Sequence, residues 1–336
     1  MSLSAINCPS YKAKPIRCLA SLARALRTNE SYLASLTRRA NHLYRLAIEV
    51  PKDDGLVRHT YNAQKSLKDI HRLIKLEILD RVSFPTYLTG SIKGRDYKTN
   101  AALHNGAKIV ISEDISTFFP ATTPAIIFDV WHHFFGFSQE VATCLTQLTN
   151  RNGELPQGAI TSPQLANLAF WRDEPALHAR LATKGIVYSR FVDDLAVSSR
   201  TPLTAADKTE VIRSIYGMMR RRGYNPKRKK HGIHTAKGRM TVTKLTVNEK
   251  PGLDRKERSL IRAMVHRMEC DLVSGVEPDI LIAELPKVMG KVSSLGRFHP
   301  GKADPLKKRL AAIKQAATHM SNKRRPLECS NNNSRF

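Results

Sequence analysis

Acidic residues are what this sequence lacks most. Its 336 residues hold 29 Asp and Glu against 55 Lys and Arg, a formal net charge of +26. The isoelectric point lies near 10.2. A compact chain with that excess repels itself unless a polyanion screens it. Nucleic acid leads the candidate partners, because basic side chains release counterions from phosphates. Acidic proteins and lipid surfaces are the other partners that charge alone allows. Cysteine is scarce as well. Cys8, Cys18, Cys144, Cys270 and Cys329 form no C-x-x-C pair, which argues against a zinc site or a disulfide framework and fits a reducing cytoplasm. Long apolar runs are missing. No window approaches ~18 consecutive apolar residues, and Lys12, Lys14, Arg17 and Arg24 interrupt the N-terminal segment, so neither a signal peptide nor a membrane span is expected. What remains is 41% hydrophobic and 25% charged, a globular composition with length for two or three subdomains.

Leucines at 22, 26, 33, 36, 43 and 46 recur near the helical period, which predicts helices across 15–50, with Thr28–Asn29 as a cap between two of them. "EVPKDDGLVRHTY" (49–61) reads as a hairpin turning at Asp54–Gly55. Residues 66–82 return to a helical period. "KIVISEDISTFF" (108–119) reads as a strand, 124–150 as helical, and "LPQGAITSP" (155–163) as a loop feeding a helix. In "YSRFVDDLAVSS" (188–199) apolar runs flank Asp193 and Asp194, which predicts a hairpin with the carboxylates at its tip. A helix is expected at 205–222. Residues 220–239 then carry nine Lys or Arg and no acid, either a solvated loop or a phosphate-tracking surface. From 254 onward the pattern is helical. Asp254 with Glu257 resembles a capping box, and Leu260, Ile261, Met264, Val265, Met268 and Leu272 mark one apolar face ending at Gly275. The last residues, 321–336, read as a disordered tail.

Two adjacent carboxylates near a core repel by about 4 kcal/mol at ~4 Å and an effective dielectric near 20. A hard cation offsets that repulsion. Neighbouring strand residues face opposite ways, so Asp193 and Asp194 share a direction only at a turn. With a third carboxylate they make an oxygen cage of the kind Mg²⁺ favours. Asp114, ending the apolar strand before Phe118–Phe119, is the natural third member, and Glu113 is its competitor. Two such ions activate a hydroxyl and stabilise a leaving oxygen in phosphoryl transfer.

The flanks of these aspartates resemble the reverse transcriptases. "YSRFVDDLAVSS" is similar to their Tyr-x-Asp-Asp palm hairpin, "EDISTFFP" to the strand bearing the first catalytic Asp, and "LPQGAITSP" to the loop under the incoming nucleotide. "NAALH" (100–104) resembles the Asn-Ala-x-x-His of retron enzymes. Their Val-Thr-Gly corresponds to Val242, Thr243 and Lys244, where lysine replaces the glycine, and Phe191 replaces the usual Tyr. The length suits a stand-alone enzyme rather than a group II intron protein with its added regions.

The resemblance implies an α+β right-hand polymerase: an N-terminal helical segment (1–43), fingers (44–107, with part of 120–160), a palm (108–250) and a helical thumb (251–320). It implies Asp114, Asp193 and Asp194 as catalytic residues holding two Mg²⁺, with the Ile115 carbonyl as a further ligand. Lys52 and Arg58 would clamp the triphosphate of a dNTP, Gln157 and Gly158 would line its pocket, and Phe119 would exclude a ribose 2′-OH. Lys229 or Arg228 would protonate the departing pyrophosphate. Arg95, Phe191, Arg228, Lys230, Val242, Thr243 and Lys244 would meet template or primer. Asn100 and His104 would read the RNA or order the fingers, unless they are simply a hydrogen-bonded structural pair. The implied activity copies a structured non-coding RNA into single-stranded DNA, primed from a 2′-OH and left as a branched product. It would act in antiphage defence in a bacterial cytoplasm, beside a separate effector protein. A template-independent or protein-primed defence reverse transcriptase, and a non-catalytic RNA-binding scaffold, are the rival readings.

Overall fold

The computed structural model describes residues 7–51 and 57–324. Two short strands, β1 (Ser10–Tyr11) and β4 (Val82–Ser83), pair with each other. Helices α1 (Leu19–Ala25) and α2 (Glu30–Arg39) follow β1, and the Asn29 side chain caps α2 by accepting from the Tyr32 N–H. Leu22, Leu26, Leu33 and Leu36 are buried as the leucine spacing predicts. The helical reading fails beyond Leu43. There the chain becomes a strand, β2 (Tyr44–Pro51), antiparallel to β3 (Val57–Ala63), and Leu46 is 52% exposed on the ribbon. Cross-strand pairing of a β-rich run overrides the leucine period here. The expected turn at Asp54–Gly55 lies outside the described residues.

Helices α3 (Lys65–Glu77) and α4 (Tyr97–Leu103) lead into the central sheet, and Asp96 closes a capping box on α4 with Thr99. The sheet comprises β5 (Ile109–Asp114), β6 (Ile186–Phe191), β7 (Asp194–Ser199) and β8 (Gly232–Thr235), in the order β6-β7-β5-β8, all antiparallel. The predicted strand 108–119 stops at Asp114. Thr117 turns the backbone left-handed (φ +46°), and a single helical turn, α5 (Phe118–Ala121), follows. The region 124–150 is α6 (Pro124–Asp129), a π-helical turn at Val130–Phe134 and α7 (Gln139–Thr149). Then come α8 (Ser162–Leu168), α9 (Glu174–Thr183) and α10 (Ala205–Arg221), of which α9 packs on β6 and α10 on α9. Leu165, Phe170, Val197, Met218 and Tyr224 fill the layer between sheet and helices.

The chain divides into two compact units, one running to Thr243 with Val247–Glu249, the other comprising Lys244–Thr246 and the residues from Lys250 on. The second unit is three helices, α11 (Arg255–Val273), α12 (Pro278–Gly296) and α13 (Pro300–Arg324). Its core takes Ile261, Val265 and Met268 from α11, whereas Leu260, assigned to the apolar face from sequence, is 58% exposed. Asp254 holds the N-cap position of α11 without a side-chain cap bond. Helix α13 runs through Arg324, four residues into the segment expected to be a disordered tail, and the remainder lies outside the described residues. No helix among the described residues is long and apolar enough to cross a membrane.

Candidate active site

Sheet register assembles the carboxylates. Asp114 ends β5 directly opposite Asp194, the first residue of β7. The β6–β7 hairpin closes at the Phe191–Asp194 pair, which leaves Val192 and Asp193 as its two-residue turn. Asp193 therefore escapes the alternation of a strand and stays beside its neighbour. The Asp193 carbonyl accepts from the Ile115 N–H at 3.0 Å, tying the turn to the end of β5. Asp114 is buried, and Glu113 lies one position earlier on β5, where alternation turns it to the opposite face. There its carboxylate accepts from the Tyr216 hydroxyl at 3.1 Å and bonds to His231 Nδ1 at 2.7 Å.

The cluster is electrostatically crowded. Burial raises the Asp193 carboxyl above the usual carboxylate range and Asp114 adds to the rise, while Lys230 and Arg58 draw it back. Asp194 is pushed up to about 7, first by loss of surrounding water, then by the charge of Asp193 and a hydrogen bond with Asp114. Its side chain keeps 51% exposure, so that desolvation is partial. The Lys230 ammonium bonds Asp114 Oδ2 and stands 3.9 Å from Asp194 Oδ1. Burial lowers the Lys230 pKa, but the three aspartates outweigh it and the net direction is up. Among the described residues no three His, Cys, Asp or Glu side chains converge as they stand into a group able to hold a metal ion. The donor chemistry nonetheless fits a hard divalent cation. The three aspartates offer oxygen, and among the described residues Lys230 and Arg58 offset their negative charge while burial raises the pKa of Asp193 and Asp194.

The loop at 155–163 docks on the β2–β3 ribbon. The Tyr61 N–H donates to the Gln157 carbonyl at 2.7 Å, and Gly158 adopts φ +105°. A Cβ on Gly158 would stand 2.8 Å from the Tyr61 carbonyl oxygen, so only glycine allows this approach. Phe118 is buried and stacks on Phe170 at 6.2 Å, while Phe119 is half-buried. The two differ in burial on a helical turn, where the sequence predicted a strand. Arg58 is exposed on β3, close enough to act on Asp193, and Lys52 lies outside the described residues.

Several residues expected at an RNA or primer surface are buried or internally bonded. Asn100 and His104 are each 1% exposed. Thr89 Oγ1 donates to Asn100 Oδ1 at 2.7 Å, and the two His104 ring nitrogens bond the hydroxyls of Ser198 and Ser189 at 2.7 Å each. Both are thus hydrogen-bonded structural residues, and neither side chain has a face toward RNA. The Arg95 guanidinium is spent on the carbonyls of Phe84, Pro85 and Leu88. Val242 is buried, and Thr243 Oγ1 donates to the Tyr97 carbonyl at 2.9 Å. Lys244 is exposed with φ +66°, the left-handed region that favours glycine, which explains why a glycine is usual there. Phe191 is half-buried beside Asp194, and Arg228 and Lys229 are exposed on the 3-10 turn that carries Lys230. Lys230, expected at the template-primer surface, bonds Asp114 and stands near Asp194. Sequence reasoning passed over Arg190 and Glu174, because an isolated Arg and Glu carry no sign of their burial (0% and 1%).

An antiparallel sheet that brings three aspartates to one hairpin end gathers the oxygen donors that metal-assisted phosphoryl transfer uses. The chain belongs to the reverse transcriptase (RNA-dependent DNA polymerase) family, whose model matches residues 50–251. Its relatives place it in the retron type. It is 32% identical to the Retron Se72 reverse transcriptase of Salmonella heidelberg (strain 579083-10), over 78% of this chain and 70% of that one. It is 28% identical to the Retron Ec86 reverse transcriptase of Escherichia coli (77% and 80%) and 30% identical to the Retron Ec48 reverse transcriptase of the same species (89% and 77%). The protein is an RNA-directed DNA polymerase of that type.

Proposed function

We propose that the protein copies a structured non-coding RNA into single-stranded DNA at the Asp114–Asp193–Asp194 cluster. In this reading the β2–β3 ribbon and its neighbours are fingers, the four-stranded sheet is the palm and the α11–α13 unit is the thumb. The observation that carries it is the register of Asp114 against Asp194 with Asp193 in the connecting turn. Asp114, Asp193, Asp194 and the Ile115 carbonyl would hold two Mg²⁺, which when bound supply charge neutralisation at the transferring phosphate. Arg58 supports nucleotide binding by offering a guanidinium to the triphosphate. Gly158 keeps Gln157 and its loop against Tyr61, giving the pocket a floor. The half-buried Phe119 ring would stand against a ribose 2′-OH. Lys230, which bonds Asp114, would join Lys229 and Arg228 in meeting the departing pyrophosphate with positive charge. The retron type of its relatives supports the rest of this reading: priming from a guanosine 2′-OH, a branched RNA–DNA product and antiphage defence with a separate effector.

Co-purified RNA, dNTPs and Mg²⁺ test this directly. The parent is expected to yield DNA joined to RNA through a 2′,5′ branch. Asp193→Asn should lower extension by about 10²- to 10³-fold, the scale of losing a group that acts in the transition state. Full synthesis by Asp193→Asn would refute the site. DNA without a branched species would refute the retron priming alone.

A further inference from the structure

Behind the catalytic turn lies a buried charge to which the reaction assigns no role. Arg190, on β6, is 0% exposed. Its Nε and Nη2 donate to the two carboxylate oxygens of Glu174 at 2.7 and 2.8 Å, and Glu174, at the start of α9, is 1% exposed. A buried ion pair of this kind is a weak source of stability, since desolvation takes back much of the Coulombic gain. The other contacts of the guanidinium show where it acts. Nη1 donates to the Val192 carbonyl at 3.0 Å, and Nη2 also donates to the Asn167 carbonyl at 2.9 Å.

Val192 is the residue before Asp193, and it holds φ +62°, an uncommon conformation for a β-branched side chain. Something must over-determine that turn. The Asn167 side chain donates to the Gly90 carbonyl at 2.8 Å. Gly90 lies so close under the turn that a Cβ there would meet the Val192 nitrogen at 2.5 Å. The Arg190 main chain adds two bonds to the same segment, accepting from Thr89 N–H at 3.0 Å and donating to the Tyr87 carbonyl at 2.9 Å. Main chain and side chain of one residue thus brace the turn from two sides.

We propose that Arg190, anchored by Glu174, is a positioning residue: it grips the Val192 carbonyl and so holds the Asp193 carboxylate on the Asp114–Asp194 cluster. The proposal rests on the polymerase reading of that cluster. A planar guanidinium spans Glu174, Asn167 and Val192 at once, whereas a single ammonium does not. The structural role and the positioning role part company in two variants of the full chain. Arg190→Lys keeps the charge against Glu174 and gives up the fork. Arg190→Met with Glu174→Met replaces the pair by apolar side chains of similar volume, and with Tyr188→Phe added, since the Tyr188 hydroxyl donates to Glu174 at 2.6 Å, it strands no buried side-chain donor.

Both variants are to be compared with the parent, their fold checked by circular dichroism and thermal melting. With its RNA bound, each is expected to lose kcat by about 10²-fold, the cost of an ångström-scale misplacement, while the KM for dNTP moves by less than about threefold. In the RNA-free protein, Mn²⁺ binding read by electron paramagnetic resonance should weaken by about tenfold or more, as when a residue supporting a metal ligand is lost. A folded triple variant with parental kcat and parental Mn²⁺ affinity would overturn the proposal. If the parent itself extends no primer, the polymerase reading fails, and the Mn²⁺ comparison still decides whether Arg190 positions Asp193.

Discussion

Replacing His104 by alanine separates two roles that the sequence leaves open for its Asn-Ala-x-x-His segment. The imidazole sits 1% exposed between Ser189 on β6 and Ser198 on β7, both themselves buried. Its loss removes two hydrogen bonds worth about 1 kcal/mol each, strands two buried hydroxyls and opens a cavity, in sum about 3–5 kcal/mol. That is a large share of the ~5–15 kcal/mol typical of a folded domain. The effect carries a pH signature. Burial pushes His104 down to about 4 from its ordinary 6.5. Below pH 6.5 the unfolded chain binds a proton that the folded one refuses, so the stability is whole above 6.5 and is lost as pH falls toward 4. Between pH 7 and pH 5 this amounts to about 2 kcal/mol from His104 alone. His71, also pushed down to about 4 by burial, contributes the same sign and remains in the variant as background. Urea titrations of parent and His104→Ala at pH 7 and pH 5 read both quantities, and filter binding reads RNA affinity. A variant with parental stability and an unchanged pH slope, but weakened RNA binding, would refute the structural role.

Three further outcomes follow from named contacts. Phe119→Ala should admit ribonucleotides by at least about tenfold over the parent in competition extension, and unchanged exclusion would remove Phe119 from the gate. Gly158→Ala forces a Cβ to within 2.8 Å of the Tyr61 carbonyl oxygen and should cost about 2 kcal/mol in chemical denaturation, together with a raised KM for dNTP. Lys244→Gly relieves a left-handed lysine (φ +66°) and should raise stability by up to about 1 kcal/mol, so a fall in melting temperature would contradict the strain argument.

Much of the site was legible because its chemistry is local. The apolar strand before Asp114, the apolar runs around Asp193–Asp194 and the glycine of the 155–163 loop each carry their own sign. The boundary at Tyr44 was not legible. The leucine period continues to Leu46, and only pairing with Ala63, Asn62 and Tyr61 makes that segment a strand. The same holds for Leu260, whose place in the helical period does not say which edge of the apolar face meets water.

The sequence by itself determined the charge that calls for a polyanion, the three aspartates, and the family to which their spacing belongs. These are properties of composition and of short motifs, written within a few residues. The tertiary structure alone decided what each aspartate faces. Register sets Asp114 against Asp194 and leaves Asp193 in a turn, Lys230 rather than Lys229 reaches the carboxylates, and Arg190 and Glu174 meet from positions sixteen residues apart. Burial and contact between separated elements arise only when the chain packs. For that reason Asn100 and His104 become core residues, and Arg190 comes to hold the Val192–Asp193 turn.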